Sequence, residues 1–366
     1  MKPNHKKKIG VVGTVGLPAN YGGFETLVEN LVDYYYENNY ELDITVYCSY
    51  FSFINKSKFY KNTKLVYLPF KANGLHSIIY DTFSLIHCLL RGNKTILLLG
   101  VSAGFIIPLF TQLLNFKIIT NIDGLEWKRA KWNFFQKIYL KLNEIIAVKF
   151  SYKVIADNIV ISDYIKKKYN VNCENISYGG DHALKNSDNK SHMELTHSFL
   201  KYSLSICRIE PENNVDLILH TFSLSKFNII FVGNWSSSFY GRECLQKYKS
   251  FDNILMLDPI YDNRLLYTLR SRASCYVHGH SAGGTNPSLV EMMFFNLPII
   301  AFDCPFNYTT TNGLAYYFNT SHTLIKNLNK LFDLSFDYNS SKMTTFATQN
   351  YRWSIIAEKY LNLLLY

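Results

Sequence analysis

A chain of 366 residues is too long for one ordinary core and points to roughly two domains. Its 48% hydrophobic and 18% charged residues exclude a disordered chain. Its seven scattered cysteines, with no CxxC pair, exclude a disulfide framework or a cysteine metal cluster and favour a reducing cytoplasm.

The net charge of +10 is uneven. Residues 1–180 hold 22 Lys and Arg against 13 Asp and Glu, and residues 181–366 hold 16 against 15. The basic half is expected to meet something acidic. Nucleic acid is not expected, because no nucleic-acid module is recognisable; an anionic membrane surface is the remaining partner.

The first apolar run, Ile9–Val12, is too short for a signal-peptide core. It reads as a buried-type strand. The loop GTVGLPANYGG, 13–23, leads into a helix from Phe24 to about Asn38, with Phe24, Leu27, Val28, Leu31 and Val32 at helical spacing. Gly22 and Gly23 stand before that helix as a candidate phosphate-binding turn, with an ordinary strand-to-helix turn as the alternative. The pattern is not GxGxxG, so nicotinamide binding has little support.

Strands are expected at Asp43–Cys48, Lys64–Leu68 and Thr95–Leu99, with a helix at Ser77–Leu90. Thr95–Phe116 lacks charge and is long enough to cross a bilayer. Gly100, Gly104 and Pro108 interrupt it, so strand, turn and helix describe it better. Strand Lys117–Asn121 ends in IDGLEWKRAKW, 122–132. Asp123, Glu126, Trp127, Lys128, Arg129 and Lys131 lie just past a strand end, where parallel sheets bind ligands. An acid, an aromatic plate and a basic cluster suit a sugar and its phosphate; a helix cap at Asp123 with solvated cations is the alternative. A helix over Trp132–Ser151, strand Tyr152–Ala156 and helix Ser162–Tyr169 close the half. SYGGDHAL, 177–184, and the polar run to about Lys201 read as an interdomain crossing.

A second alternation follows. Strand Tyr202–Cys207 leads to RIEPENN, where Arg208 can pair with a phosphate or with Glu210 or Glu212. Strands are expected at Asn228–Val232, Ile254–Leu257, Cys275–Val277 and Pro298–Phe302, with a helix at Asn263–Arg272. The sheet is expected to end with the loop DCPFNYTTTNG.

The stretch HGHSAGGTNPSLVEMM, 278–293, is the main candidate site. Gly283 and Gly284 permit a tight turn, Thr285 or Asn286 suits an N-cap and Pro287 a first helical position. Such a turn aims free N–H groups, including that of Ser288, at one spot, which suits a phosphate. Glu291, one turn further, can accept hydrogen bonds from a sugar hydroxyl. The tail, 351–366, is amphipathic, with Trp353, Ile356, Tyr360 and Leu363 on one face.

The stretches 13–31, 121–132, ISYGGD (176–181), 208–214, VGNW (232–235) and 278–293 occur in this order along most of the chain. On these the chain resembles the retaining GT-B glycosyltransferases of family 4, and within them the bacterial capsule and O-antigen rhamnosyltransferase-like subgroup. The resemblance implies an α/β fold of two Rossmann-like domains with parallel sheets facing across a cleft. The acceptor domain would span 1–181, the donor domain 182–350, and a terminal helix, 351–366, would pack back on the first.

It further implies that Gly22 and Gly23 approach a donor diphosphate and that Arg208 neutralises it. Amides at 284–288 would cradle it, Glu291 would hold the ribose, and Asp123 would stand near the reacting sugar. Three positions depart from the family pattern. Gly283 replaces a usual Glu, Asn213 stands about where a Lys is common, and Asp123 stands where many relatives carry His. Fewer sugar contacts are compatible with a deoxysugar.

The expected reaction moves a hexose, best matched by L-rhamnose from dTDP-rhamnose, onto a lipid-linked saccharide at the inner membrane face. The donor is a nucleotide-diphosphate sugar, and no metal or other cofactor is expected because N–H dipoles and Arg208 meet the leaving group's charge. Alternatives are another UDP-, GDP- or dTDP-sugar, a sugar-nucleotide epimerase, or a non-catalytic binding subunit.

Overall fold

The computed structural model describes residues 7–19, 22–129, 132–185, 199–332 and 337–366. The chain divides into two compact units, Met1–Ser177 with Trp353–Tyr366, and Tyr178–Arg352.

Unit 1 alternates strand and helix as the hydrophobic pattern requires. Its elements are β1 (Lys7–Val12), α1 (Gly23–Glu37), β2 (Leu42–Ser49), β3 (Phe59–Tyr60), β4 (Thr63–Leu68) and α2 (His76–Leu90). Then come β5 (Thr95–Leu99), β6 (Lys117–Asn121), α3 (Phe134–Phe150), β7 (Lys153–Ala156), α4 (Ile159–Tyr169) and β8 (Glu174–Asn175). The strand order is β3-β4-β2-β1-β5-β6-β7-β8, parallel except for β3 against β4. β5 is buried along its whole length, as a strand covered on both faces must be. The charge-free run after it forms a 3-10 turn (Gly104–Ile106) and a π-helical turn (Leu109–Leu113) in place of the expected α-helix. Asn133 and Gln136 close a capping box that starts α3.

Unit 2 contains β9 (Ser203–Ile206), α5 (Val215–Ser223), β10 (Ile229–Val232), α6 (Phe239–Tyr248), β11 (Ile254–Leu257), α7 (Asn263–Arg272) and β12 (Cys275–His278). It continues with α8 (Pro287–Met292), β13 (Ile299–Phe302), α9 (Pro305–Thr310), β14 (Tyr316–Phe318), α10 (Ser321–Phe332) and α11 (Tyr338–Asn350). Its sheet is parallel throughout, ordered β11-β10-β9-β12-β13-β14. Successive strand residues feed opposite layers: Ile230 and Val232 join one core cluster, Ile229 and Phe231 the other.

Three expectations need correction. The sheet does not end at Phe302: the DCPFNYTTTNG segment forms α9 on a Pro at its first turn, and β14 then pairs with β13. The change of unit falls at Ser177/Tyr178, the start of the expected crossing, and residues 178–184 already belong to unit 2. The Gly180 N–H donates to the Tyr351 carbonyl at 2.9 Å, and Asp181–Leu184 form a 3-10 turn inside unit 2. The rest of the expected crossing, 186–198, lies outside the described residues. Finally, α6, α10 and α11 were not legible as helices in the pattern.

The chain re-enters unit 1 through α12 (Trp353–Leu365), which packs on α1. The Tyr35 hydroxyl donates to the Ala357 carbonyl at 2.9 Å, and Asn121 Nδ2 to the Tyr360 hydroxyl at 2.7 Å. Leu364, not Leu363, completes the buried stripe with Trp353, Ile356 and Tyr360.

Candidate functional site

Chain direction locates the sites. In unit 2 the sheet grows from β9 towards β10 and β11 on one side, and from β12 towards β13 and β14 on the other. The switch lies between β9 and β12, and ligands of doubly wound sheets bind beyond the carboxyl ends of such a pair. The loop after β9 carries Arg208, and the loop after β12 carries Gly283 and Gly284.

These two loops are fastened to each other. Ser281 donates its N–H to the Glu212 carbonyl at 2.9 Å and its hydroxyl to the same oxygen at 2.8 Å. Asn214 Nδ2 donates to the Gly279 carbonyl at 2.7 Å. Asn213 Nδ2 donates to the Arg208 carbonyl at 2.6 Å, and its Oδ1 lies 2.7 Å from His280 Nδ1. The unusual Asn213 thus ties the Arg208 loop to the glycine turn.

Arg208 itself is exposed, and its Nε lies 3.8 Å from Glu210 Oε2. So loose a surface pair is worth little and leaves the guanidinium able to turn to a phosphate. Gly283 has φ +117°, which a side chain would strain, and a Cβ there would meet His280 Nε2 at 3.2 Å. Gly284 and Thr285 are buried. Asn286 is the N-cap of α8, its Oδ1 accepting from the Ser288 N–H at 3.1 Å and the Ser288 hydroxyl at 2.7 Å.

Glu291 is buried on α8. Its carboxylate accepts from Arg270 Nη2, and its Oε1 lies 3.3 Å from His182 Nε2. Burial pushes its pKa up, but the Arg270 guanidinium and His182 outweigh that and hold it below the usual carboxylate range. Neither partner was legible in the sequence: Arg270 lies within the expected helix Asn263–Arg272 with nothing to single it out, and His182 within the stretch read as an interdomain crossing.

Unit 1 has its own switch, between β1 and β5. Gly22 and Gly23 stand at the start of α1 as expected, and Gly22 has φ 98° and ψ 161°. That conformation is confined almost wholly to glycine. Beneath the loop lies Glu25, which sequence reasoning passed over although an acid in a first helical turn was visible. It is buried, and its Oε1 accepts from the Val15 N–H at 2.6 Å and the Thr14 hydroxyl at 3.0 Å. Burial raises its pKa above the ordinary value against these hydrogen bonds, and the Asp123 charge adds to the rise. Asp123 therefore lies near this corner. It adopts φ 57°, with its N–H donating to Asn121 Oδ1 at 3.0 Å.

The rest of the expected acceptor cluster is engaged elsewhere. Glu126 Oε1 accepts from the Trp132 indole at 3.0 Å, and Glu126 Oε2 from Arg129 at 3.2 Å. The Trp127 indole donates to buried Glu144 at 2.8 Å, and the Lys141 ammonium sits 4.0 Å from its ring centre. Lys128 is exposed, and Lys131 lies outside the described residues. Trp127 thus anchors the loop to α3 through its N–H. Among the described residues no His, Cys, Asp and Glu side chains group as a metal site.

Two doubly wound parallel units are the architecture of the GT-B glycosyltransferases, and that is the fold of this chain. Sucrose-phosphate synthase from Thermosynechococcus elongatus superposes with a TM-score of 0.82 at 13% identity, covering 98% of both chains. Anabaena Alr3699/HepE in complex with UDP-glucose superposes at 0.74 with 11% identity, over 98% of this chain and 99% of that one. A glycosyltransferase from Rickettsia africae gives 0.73 at 14% identity, covering 98% of both. Residues 6–181 match a family model described as a domain of unknown function, DUF1972. The O-antigen chain mannosyltransferase RfbU of Salmonella typhimurium is 28% identical over 221 residues, 57% of this chain. The chain matches 60% of that relative's length.

Proposed function

We propose that the chain is a glycosyltransferase that uses a nucleotide-diphosphate sugar in bacterial surface polysaccharide synthesis. The observation that carries this reading is the pair of fastened loops at the switch point of unit 2. They bring an exposed arginine and a glycine turn at a helix start to the place where such sheets bind ligands. The mannosyltransferase relative and the UDP-glucose-bound structural neighbour support it.

In this reading Arg208 and the N–H groups of the 284–286 turn stabilise the charge that builds on the leaving diphosphate, with no metal required. The expected contribution of the Ser288 N–H is withdrawn, because it donates to the Asn286 cap, and Pro287 has no N–H. Glu291, oriented by Arg270 and His182, uses its remaining lone pairs to accept the ribose hydroxyls. Gly22 and Gly23 approach the diphosphate and Asp123 the reacting sugar, with transfer retaining configuration. L-rhamnose from dTDP-rhamnose is the preferred donor, giving a β-rhamnoside from a β-linked donor. The mannosyltransferase relative makes a nucleotide-activated mannose its main competitor. Of the expected acceptor residues, exposed Lys128 keeps that proposed role, and the proposed acceptor is a lipid-linked saccharide at the inner face of the plasma membrane. No helix among the described residues is long and apolar enough to cross a membrane, so the proposed attachment is peripheral.

The test supplies dTDP-rhamnose, GDP-mannose and UDP-sugars with and without a pyrophosphoryl-lipid saccharide. One nucleotide should be released, and only with acceptor present. Arg208→Ala and Glu291→Ala should each lower kcat/KM on the order of a hundredfold. Release without acceptor, with conversion of the donor, would replace transfer by epimerisation. Tight nucleotide binding with no turnover under any condition would leave a binding subunit.

A further inference from the structure

Helix α2 is built inside out. Its inward face buries Asp81, Ser84 and Cys88 beside Tyr80 and Leu85. Its outward face exposes Ile79, Phe83, Ile86 and Leu90, spaced as one stripe, and Leu90 keeps 78% of its surface. A helix packed only against its own sheet would show the opposite polarity.

The stripe does not stand alone. The 104–113 turns expose Phe105, Leu109 and Leu113, and α3 exposes Phe135, Ile138 and Leu142, again at helical spacing. All three elements lie on one side of the unit 1 sheet. The crossovers from β4 to β5, β5 to β6 and β6 to β7 advance in one direction across it, and right-handed connections then share a face. α1 connects strands in the opposite direction and, with α12, covers the other side. The three are also joined directly. The Ser102 hydroxyl donates to Asp81, the Tyr139 hydroxyl of α3 donates to the Ser102 carbonyl at 2.9 Å, and the Phe105 N–H donates to Asn143 Oδ1 at 2.7 Å. The exposed apolar residues of all three elements therefore share one side of the sheet.

Charge selects its occupant. The only acids on these three elements are Asp81 and Glu144, and both are buried. Residues 70–152 contain ten Lys and Arg against four Asp and Glu. Lys71 and Arg91–Lys94 flank α2, and Lys149 lies on α3, all with exposed cations. An apolar face with a basic margin and no outward acid matches anionic headgroups above acyl chains.

We propose that this face, formed by α2, the 104–113 turns and α3, seats unit 1 on an anionic lipid bilayer. It gives the membrane partner named above a location, and it rests on that partner and not on the sugar-transfer chemistry.

The test is cosedimentation of the full chain with phosphatidylglycerol-containing vesicles against pure phosphatidylcholine. Wild type should bind the former, and rising salt should weaken binding. Ile79→Ser/Ile86→Ser/Leu90→Ser on α2 and, separately, Leu109→Ser/Leu113→Ser should each weaken binding by at least roughly tenfold. Tyr338→Ser, exposed in unit 2, should leave it unchanged. Circular dichroism checks that each variant is folded, and the two sets on different elements keep the test valid if one is not. Vesicle binding equal to wild type in both sets overturns the proposal. So does a shift from dimer to monomer with vesicle binding intact, which would assign the face to a second copy. Nucleotide release with a water-soluble acceptor reports separately on transfer: its absence would sink the enzymatic reading and leave the vesicle result standing.

Discussion

In unit 1 the turn before α1 is closed from below by its own helix acid, Glu25, which accepts from Val15 and Thr14. In unit 2 the acid on α8, Glu291, makes no such bond to its turn; it is held by Arg270 and His182, and a neutral side chain, Asn286, caps the helix instead. The same local pattern, glycines followed by a helix with an acid in it, thus gives two different devices. The first spends its carboxylate on holding the loop in shape. The second keeps a charged carboxylate oriented by cations beside a turn that is fastened to the Arg208 loop. Only the second arrangement leaves an ionised acid positioned by groups outside the turn.

The largest expected effect is at the second device. Arg270→Ala would leave Glu291 buried and without its main counter-charge, at a cost of about 3–5 kcal/mol in denaturant unfolding. Adding Glu291→Ala should recover part of that loss; a fully additive double variant would break the assignment of the pair. At the first device, Glu25→Ala removes the acceptor for two donors and should cost about 2 kcal/mol, with the 13–19 loop amides exchanging faster by hydrogen exchange. Unchanged exchange there would show that the loop is held by something else.

The glycines come next. Alanine at Gly22 must enter a conformation almost confined to glycine and would collide with the Glu25 carboxylate, so roughly 2 kcal/mol is expected. At Gly283 the His280 ring needs to give only a little, and about 1 kcal/mol is expected, read as a smaller drop in melting temperature. The reverse order would contradict the picture of a filled corner and a roomier one.

The smallest effect is in pH dependence, where the two acids should move in opposite senses. The folded pKa of Glu25 is raised above 4.5, so its contribution is complete below that value and fades as pH climbs through the raised one. The folded pKa of Glu291 is lowered, so its contribution is present above 4.5 and fades as pH falls through the lowered one. Unfolding of Glu25→Gln and Glu291→Gln against wild type between acid and neutral pH measures both slopes. Parallel slopes would remove the distinction between the corners.

Much of the fold could be read from residue pattern alone. Continuous apolar runs such as TILLL and IIFV form strands covered on both faces, and their alternation with helical spacings makes the sheets parallel. Gly22, Gly283, Asn286 and Pro287 could be placed at helix starts because backbone angle and capping are local chemistry. The helices α9 and α11 were not legible, because runs rich in Asn, Ser, Thr and Tyr have no strong period and their helicity comes from packing.

What only the tertiary structure decided is who meets whom. Arg270 reaches Glu291 across 21 residues of chain, and Asn121 reaches Tyr360 across 239. Glu126 and Trp127, which looked free to bind a sugar, proved to be committed to Arg129, Trp132 and Glu144. Local sequence sets backbone angles and periodicity, because those depend on near neighbours. A carboxylate's partner, its burial and therefore its charge state depend on residues that only the packed sheet brings within a few ångströms.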